Sequence, residues 1–244
     1  MFDRFKQRSY ELEHLDKGDY TPEEYEGCIV ELQRVNRWLG DTRALRNSLL
    51  KDIAAAQLQA VSVLDVGAGS GELLRVIAEW AIETKRVARL VGLELNERSA
   101  REILAGSEQY SQISSVRGDA FRVPFRDKQF DYVICSLFTH HFRDPQVVNL
   151  LQEMARVARR KIFVIDLHRN VVAYTFFTTI AKLFLHNRLI REDGALSILR
   201  SFTPDEFRML GGKAKLKNMT VEEHFPSRLV LSAEPPSPVG RGLG

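Results

Sequence analysis

Val63-Leu64-Asp65-Val66-Gly67-Ala68-Gly69-Ser70-Gly71-Glu72 is the stretch on which the fold turns. Its first four residues read as a buried strand, and the glycines lead straight into a helix that begins near Glu72. Glycine there lets the backbone turn tightly and lets a ligand meet the main chain with no Cβ in the way. A phosphate-cradling Walker loop would end in Gly-Lys-Ser/Thr, whereas this loop ends in Ser70-Gly71-Glu72. A dinucleotide fingerprint needs GxGxxG. Here the glycines fall at 67, 69 and 71, and Glu72 stands where the last glycine would be, which disfavours NAD.

Beyond the loop, short β-branched runs alternate with helical stretches. Strands are expected at Val61 to Val66, Leu90 to Leu95, Ile113 to Val116, Tyr132 to Leu137 and Ile162 to Leu167, with helices at Glu72 to Ile82, Glu97 to Leu104 and Pro145 to Arg159. Such alternation implies βαβ crossovers and a parallel sheet covered on both faces. Two closely spaced runs, Leu216 to His224 and Arg228 to Ala233, predict an antiparallel hairpin that completes the sheet. The expectation is therefore an α/β, Rossmann-like, seven-stranded and mostly parallel sheet with an antiparallel C-terminal hairpin. Ahead of it, Thr21-Pro22-Glu23-Glu24 is a capping box that opens an apolar series ending at Gly40, and Asp41 is suited to cap a second helix to about Gln57. Residues 1–59 are thus read as a helical N-terminal lid and 60–234 as the main domain. A helical cap at about 169–202 includes Val171 to Leu185, a helix at Pro204 to Leu210 lies behind the capping box Thr203-Pro204-Asp205-Glu206, and a disordered tail covers 235–244.

Ligands of open α/β sheets bind at the carboxyl ends of the strands, and acids stand there. Glu94 closes the second strand 23 positions past Gly71, placed to accept from two ribose hydroxyls, and Asp119 in Arg117-Gly118-Asp119-Ala120 can accept from an adenine amino group. Asp65-x-Gly67-x-Gly69-x-Gly71, Glu94, Gly118-Asp119-Ala120 and Phe130-Asp131-Tyr132-Val133 together resemble the class I S-adenosylmethionine-dependent methyltransferases over about Val61 to Leu167. The resemblance implies S-adenosyl-L-methionine as cofactor, held by Asp65, Gly67, Ala68, Gly69, Gly71, Glu94, Leu95, Asp119, Ala120, Ser136 and Leu137.

A sulfonium methyl is already electrophilic, so the protein must chiefly align a nucleophile behind it. A general base helps with a phenol or a weakly acidic carbon, and histidine suits that task near neutral pH. Thr139-His140-His141 and Asp166-Leu167-His168-Arg169 lie just past the fourth and fifth strands, and His168 and His141 are the candidate bases. His141 resembles a histidine found in the ubiquinone and menaquinone C-methyltransferases. No metal is expected, since the chelating acids of the catechol methyltransferases have no counterpart and His140 and His141 would point to different sides of an extended segment. Val171 to Ile180 would wall an apolar acceptor site, with Tyr174 and Phe177 lining it beside His140. Arg188, Arg191 and Asp193 are candidates to orient a polar end. Glu31 to Gly40, Asp166 to Arg169 and Arg200 to Thr203 resemble a bacterial branch that accompanies type III polyketide synthases. That resemblance implies an aromatic hydroxyl or ring carbon as acceptor and places Asn36 and Arg37 on a lid.

The totals agree with a soluble cytoplasmic enzyme: 44% hydrophobic and 27% charged residues, with 35 basic against 32 acidic ones spread along 244 residues. That spread argues against a nucleic-acid footprint, and neither a signal peptide nor an apolar span of about 18 residues is evident. Cys28 and Cys135 suggest neither a disulfide nor a zinc site. The expected activity is methyl transfer to a small hydrophobic or phenolic acceptor in secondary metabolism, at oxygen before carbon, by a monomer or homodimer. A non-catalytic cofactor-binding partner and a methyltransferase of a macromolecule are the alternatives.

Overall fold

The computed structural model describes residues 2–21, 23–24, 27–28, 40–185 and 187–236. Asn36 and Arg37, most of the helix expected behind Thr21, and the tail from 237 onward lie outside the described residues. The capping box itself is formed: Thr21 N donates to Glu24 at 3.0 Å and Glu24 N to Thr21 Oγ1 at 3.2 Å.

Seven strands form one sheet in the order β3-β2-β1-β4-β5-β7-β6. They are β1 (Ala60–Val66), β2 (Val87–Glu94), β3 (Ile113–Arg117), β4 (Phe130–Ser136), β5 (Ala158–Leu167), β6 (Lys217–His224) and β7 (Arg228–Glu234). The first five pair in parallel and β7 runs antiparallel to both β5 and β6, as the sequence patterns predict. The helical elements are α1 (residues 41–55, with a π turn at Arg46–Leu50), α2 (Glu72–Glu83), α3 (Glu97–Ala105), α4 (Asp144–Val157), α5 (Val171–Phe184), α6 (Arg188–Arg200) and α7 (Pro204–Lys213).

Alternation along the strands divides the core between the two faces. On one face Leu64, Val66, Leu93, Val133 and Cys135 pack with Val147, Leu150 and Leu151 of α4 and Phe207 and Leu210 of α7. On the other, Val63, Leu90, Tyr132 and Ile134 pack with Leu45, Leu49 and Ile53 of α1, Leu74 and Ile77 of α2 and Ile103 of α3. At about 25 cal/mol per Å² of apolar surface removed from water, these two layers are the main favourable term in folding. A third, smaller cluster of Cys28, Phe177, Leu189, Ile190 and Ile198 lies under α5 and α6.

Three expectations need correcting. Asp41 does not cap α1: Gly40, at φ 97°, holds the N-cap position, and the Asp41 carboxylate is buried against Arg228 of β7. The helix expected to run to Arg159 ends at Val157, and Ala158 passes directly into β5. Ala158 is needed there to pair with Phe130, and Arg159 then reaches Asp131 at 2.6 Å. Finally, no separate helix is assigned to α6 in the sequence, although it falls within the helical cap expected at about 169–202. Gly194 and Asp193 sit in its middle, and glycine costs about 1 kcal/mol in a helix interior. Asn187 starts it by accepting from Leu189 N, and the Phe177 ring lies so close over Gly194 that a Cβ would run into it.

Candidate functional site

The parallel strands β1 and β4 are neighbours although β2 and β3 intervene in sequence, so the sheet switches direction there and opens a crevice at their carboxyl ends. Asp65, at the end of β1, is 3% exposed and its Oδ1 has no hydrogen-bond partner among the described residues. Burial, with the Glu94 charge adding to it, pushes its carboxyl up to about 7. Gly67, Gly69 and Gly71 all take positive φ, 71°, 53° and 78°, which explains glycine at each. A Cβ on Gly67 would stand 2.8 Å from the Phe138 ring, whereas at Gly69 nothing lies within 4 Å, so the loop's outer edge is open to a ligand.

Glu94 faces that edge from the end of β2. It accepts from Gly69 N and from Asn96 N, each at 3.0 Å, and so ties the glycine loop to the start of α3. A carboxylate has about four acceptor positions, so two remain for hydroxyls of a ligand. Leu95, beside it, is 62% exposed, unusual for a leucine at a strand end. Asp119 is exposed and accepts from Phe121 N at 2.8 Å, holding the turn after β3, while Ala120 is buried under it. Ser136 and Leu137 end β4 on the other side, half-buried. An orphaned buried carboxylate, an open glycine edge and a carboxylate with spare lone pairs fit an adenosyl ligand bearing an amino acid. The sequence-predicted cofactor residues thus share one rim.

Leu137 also belongs to a second feature, a cavity of about 190 Å³. Its apolar wall includes Leu15, Leu167, Phe177, Leu189, Ile190 and Ile198, and its polar wall includes Glu13, His140, His141 and Asp193. Among the predicted acceptor-site residues, Phe177 and His140 line it. Tyr174 packs one turn away in α5, where its hydroxyl accepts from Arg4 at 3.0 Å, and His168 lies outside it. His168 faces Glu223 of β6 at 3.5 Å, and burial lowers its pKa. Asp193 accepts from His14 N and Leu15 N, and Arg188 pairs with Glu24 at 3.3 Å; both therefore tie the N-terminal segment to α6.

The residues Thr139–His141 form a 3-10 turn rather than an extended segment, so the two histidine rings lie together, centroids 4.3 Å apart at 34°. Their expected divergence is thereby overturned. His140 is 4% exposed, and its Nδ1 meets Asp166 Oδ1 at 2.6 Å. Asp166, fully buried at the end of β5, also accepts from Thr139 Oγ1, His140 N and Leu167 N. Burial alone would raise its pKa, but the charge of His140 and these hydrogen bonds outweigh it and hold the carboxyl at about 2. An ionised carboxylate only accepts, so Nδ1 of His140 carries the hydrogen that faces Asp166, and Nε2 is the ring nitrogen left to exchange a proton.

The sequence did not single out Asp166, Glu13 or Arg200 for the site. Asp166 carries the same signal as Asp65, an acid closing a buried strand, and could have been read from it. Glu13 has no such signal, because only the folded chain brings it here: Arg8 is buried with its guanidinium 3.9 Å over the Phe202 ring, donating to Asp144, Arg200 O and Phe142 O.

A family model described as "Methyltransferase domain" matches residues 63–161. A demethylmenaquinone methyltransferase of Bacillus licheniformis is 28% identical over 131 residues, 54% of this chain and 50% of that protein. The chain therefore spans half the length of that relative. The enzyme of the same name from Shouchella clausii is 27% identical over 201 residues, 80% of this chain and 79% of its own. The crystal structure of an S-adenosylmethionine-dependent methyltransferase from Aquifex aeolicus superposes with a TM-score of 0.57 at 16% identity, covering 80% of this chain and 89% of that one, which speaks for the fold.

Proposed function

We propose that this chain, whose residues 63–161 match a methyltransferase domain, is a class I S-adenosylmethionine-dependent methyltransferase that methylates a small, largely apolar acceptor, at a phenolic oxygen in preference to carbon. The observation that carries this reading is the cavity at the end of β4, which joins an apolar wall to the His140–Asp166 pair and shares Leu137 with the cofactor rim. Its volume of about 190 Å³ is below the roughly 300–1,000 Å³ of drug-sized pockets and suits a compact acceptor.

Asp65, the loop 67–71, Glu94, Leu95, Asp119, Ala120, Ser136 and Leu137 would hold the cofactor. When bound, S-adenosylmethionine supplies an electrophilic sulfonium methyl. Phe177, Leu189, Ile190 and Ile198 exclude water and hold the acceptor's apolar body. His140 Nε2 takes the acceptor's hydroxyl proton as the oxygen becomes the nucleophile, and Asp166 fixes the ring and offsets the imidazolium charge that forms. Of the two histidines expected as base, His141 packs on His140 at the cavity rim and supports that ring, while His168 stands apart beyond the end of β5, facing Glu223.

The test is calorimetry with S-adenosylhomocysteine followed by mass spectrometry after incubation with S-adenosylmethionine and small phenols. A product 14 mass units heavier, bearing a methyl ether, is expected; the figure is the mass of one CH₂, roughly, for replacing H by CH₃. Binding without transfer to any phenol or activated carbon would leave the non-catalytic reading standing. Absence of binding would end the proposal.

A further inference from the structure

We propose that Glu13, His140 and His141 form a binding site for a divalent transition-metal ion of the zinc class. One ligand atom from each lies within 4.8 Å of the other two, and two of the three residues are buried. Two imidazoles and a carboxylate are a common protein ligand set for such ions, with a further position left for water or an oxygen of a small molecule.

The surroundings favour an ion in a way that a chance cluster would not. Metal-bound histidines nearly always give their second ring nitrogen to a carboxylate or carbonyl, which fixes the ring and raises its basicity. His140 has such a partner on Nδ1, Asp166 at 2.6 Å, which leaves Nε2 as the nitrogen that ring has to offer; Nδ1 of His141 faces Asp16 at the longer ion-pair distance of 3.6 Å. Glu13 is held in place by Ser197, whose Oγ donates to it at 2.8 Å.

Arg200 is the competing cation, its Nη1 3.5 Å from Glu13. Its charge is matched closer at hand by Asp16, at 2.6 Å, and its other nitrogens donate to the carbonyls of His140 and His141. Arg8, the next guanidinium, is matched by Asp144 at 2.8 Å. Glu13 and Asp166 then remain as two carboxylates around two imidazoles, which a dication would balance. Ligand bonds of about 2.0–2.2 Å require the three groups to draw inward by roughly an ångström. Glu13, just before the short helical turn His14–Lys17, and half-buried His141 have room to do so.

The inference rests on the proposed acceptor site in one respect: the ion would occupy the His140 nitrogen that accepts the acceptor's proton. Zinc is therefore expected to slow methyl transfer, in competition with the acceptor and reversibly on chelation. Binding is tested separately, by titrating the full chain with Co²⁺ alone and following its visible d–d absorption, with Zn²⁺ as displacer. One equivalent with the intensity of a four- or five-coordinate site is expected. His141→Ala and Glu13→Gln should each weaken it at least tenfold while S-adenosylhomocysteine binding stays unchanged as the control for folding. No saturable absorption, or an affinity in both variants equal to that of the unmodified chain, would overturn the metal site and leave the methyltransferase reading untouched. Failure of S-adenosylhomocysteine to bind the unmodified chain would do the reverse.

Discussion

The ring of Phe177 rests on the bare backbone of Gly194, so that one helix of the cap sets how far the other's aromatic reaches into the acceptor cavity. Gly194→Ala would gain helix propensity, about 1 kcal/mol, yet must push that ring inward. The expected result is unchanged or higher thermal stability, a raised KM for bulkier phenols and little change for the smallest. Phe177→Ala should shift preference the opposite way. Initial rates across a size-graded phenol series decide it, and parallel effects of both variants on all acceptors would refute a size-setting role.

Asp166→Asn keeps the shape of the pair but loses the charge that orients His140 and balances its protonated form. A fall in kcat of roughly 10²- to 10⁴-fold is expected, as for loss of general-base catalysis, with S-adenosylhomocysteine affinity within about twofold. His140→Gln should fall as far, and the double variant no further, because the two residues act as one unit. Additive losses in steady-state rates would argue against a single dyad.

Asp65 provides a pH test whose sign is fixed by its environment. Its folded-state pKa of about 7 lies above the ordinary carboxylate value of 3.8, so the folded chain holds this proton more tightly than the unfolded one. Its contribution is most favourable below pH 3.8 and is lost as pH rises through about 7. Asp65→Asn carries no charge to bury. Its Tm relative to the unmodified chain should therefore rise between pH 5.5 and pH 8.5, while cofactor affinity falls. A Tm difference independent of pH would show that Asp65 is ionised without cost.

Glu94→Gln retains length but loses a charged acceptor that holds Gly69 N and has lone pairs left for ribose. Hydrogen bonds to charged groups are worth about 1.5–3 kcal/mol, so S-adenosylhomocysteine should bind roughly 10- to 150-fold more weakly by calorimetry. Asp119→Asn, whose carboxylate already holds its own turn, should cost less. The reverse ranking would move the main polar anchor from β2 to β3.

The parallel sheet was legible, and the residues proposed to hold the cofactor were brought to one rim of it, because both are marked locally. Period-two and buried apolar runs mark β1 to β5, and Asp65, Glu94 and Asp119 each follow such a run. The acceptor side was not. Helix α6 hides behind Asp193 and Gly194, residues poor in a helix interior and retained here by contacts with the N-terminal segment and with Phe177. The choice of histidine likewise depended on the turn at Thr139–His141, which turns His140 onto Asp166, 26 residues later, and not on the order of residues.

The lining of the acceptor cavity runs from Glu13 to Arg228, nearly the whole described chain, whereas the cofactor rim is drawn from Asp65 to Leu137. Those two spans age differently under insertion, truncation or fusion. On the cavity side, the buried Arg8 of the N-terminal segment donates to the carbonyls of Arg200, His140 and Phe142, whereas the glycine loop is tied to Glu94. Methyl-donor binding thus depends on one contiguous third of the chain, whereas the range of accepted molecules depends on residues far apart in sequence.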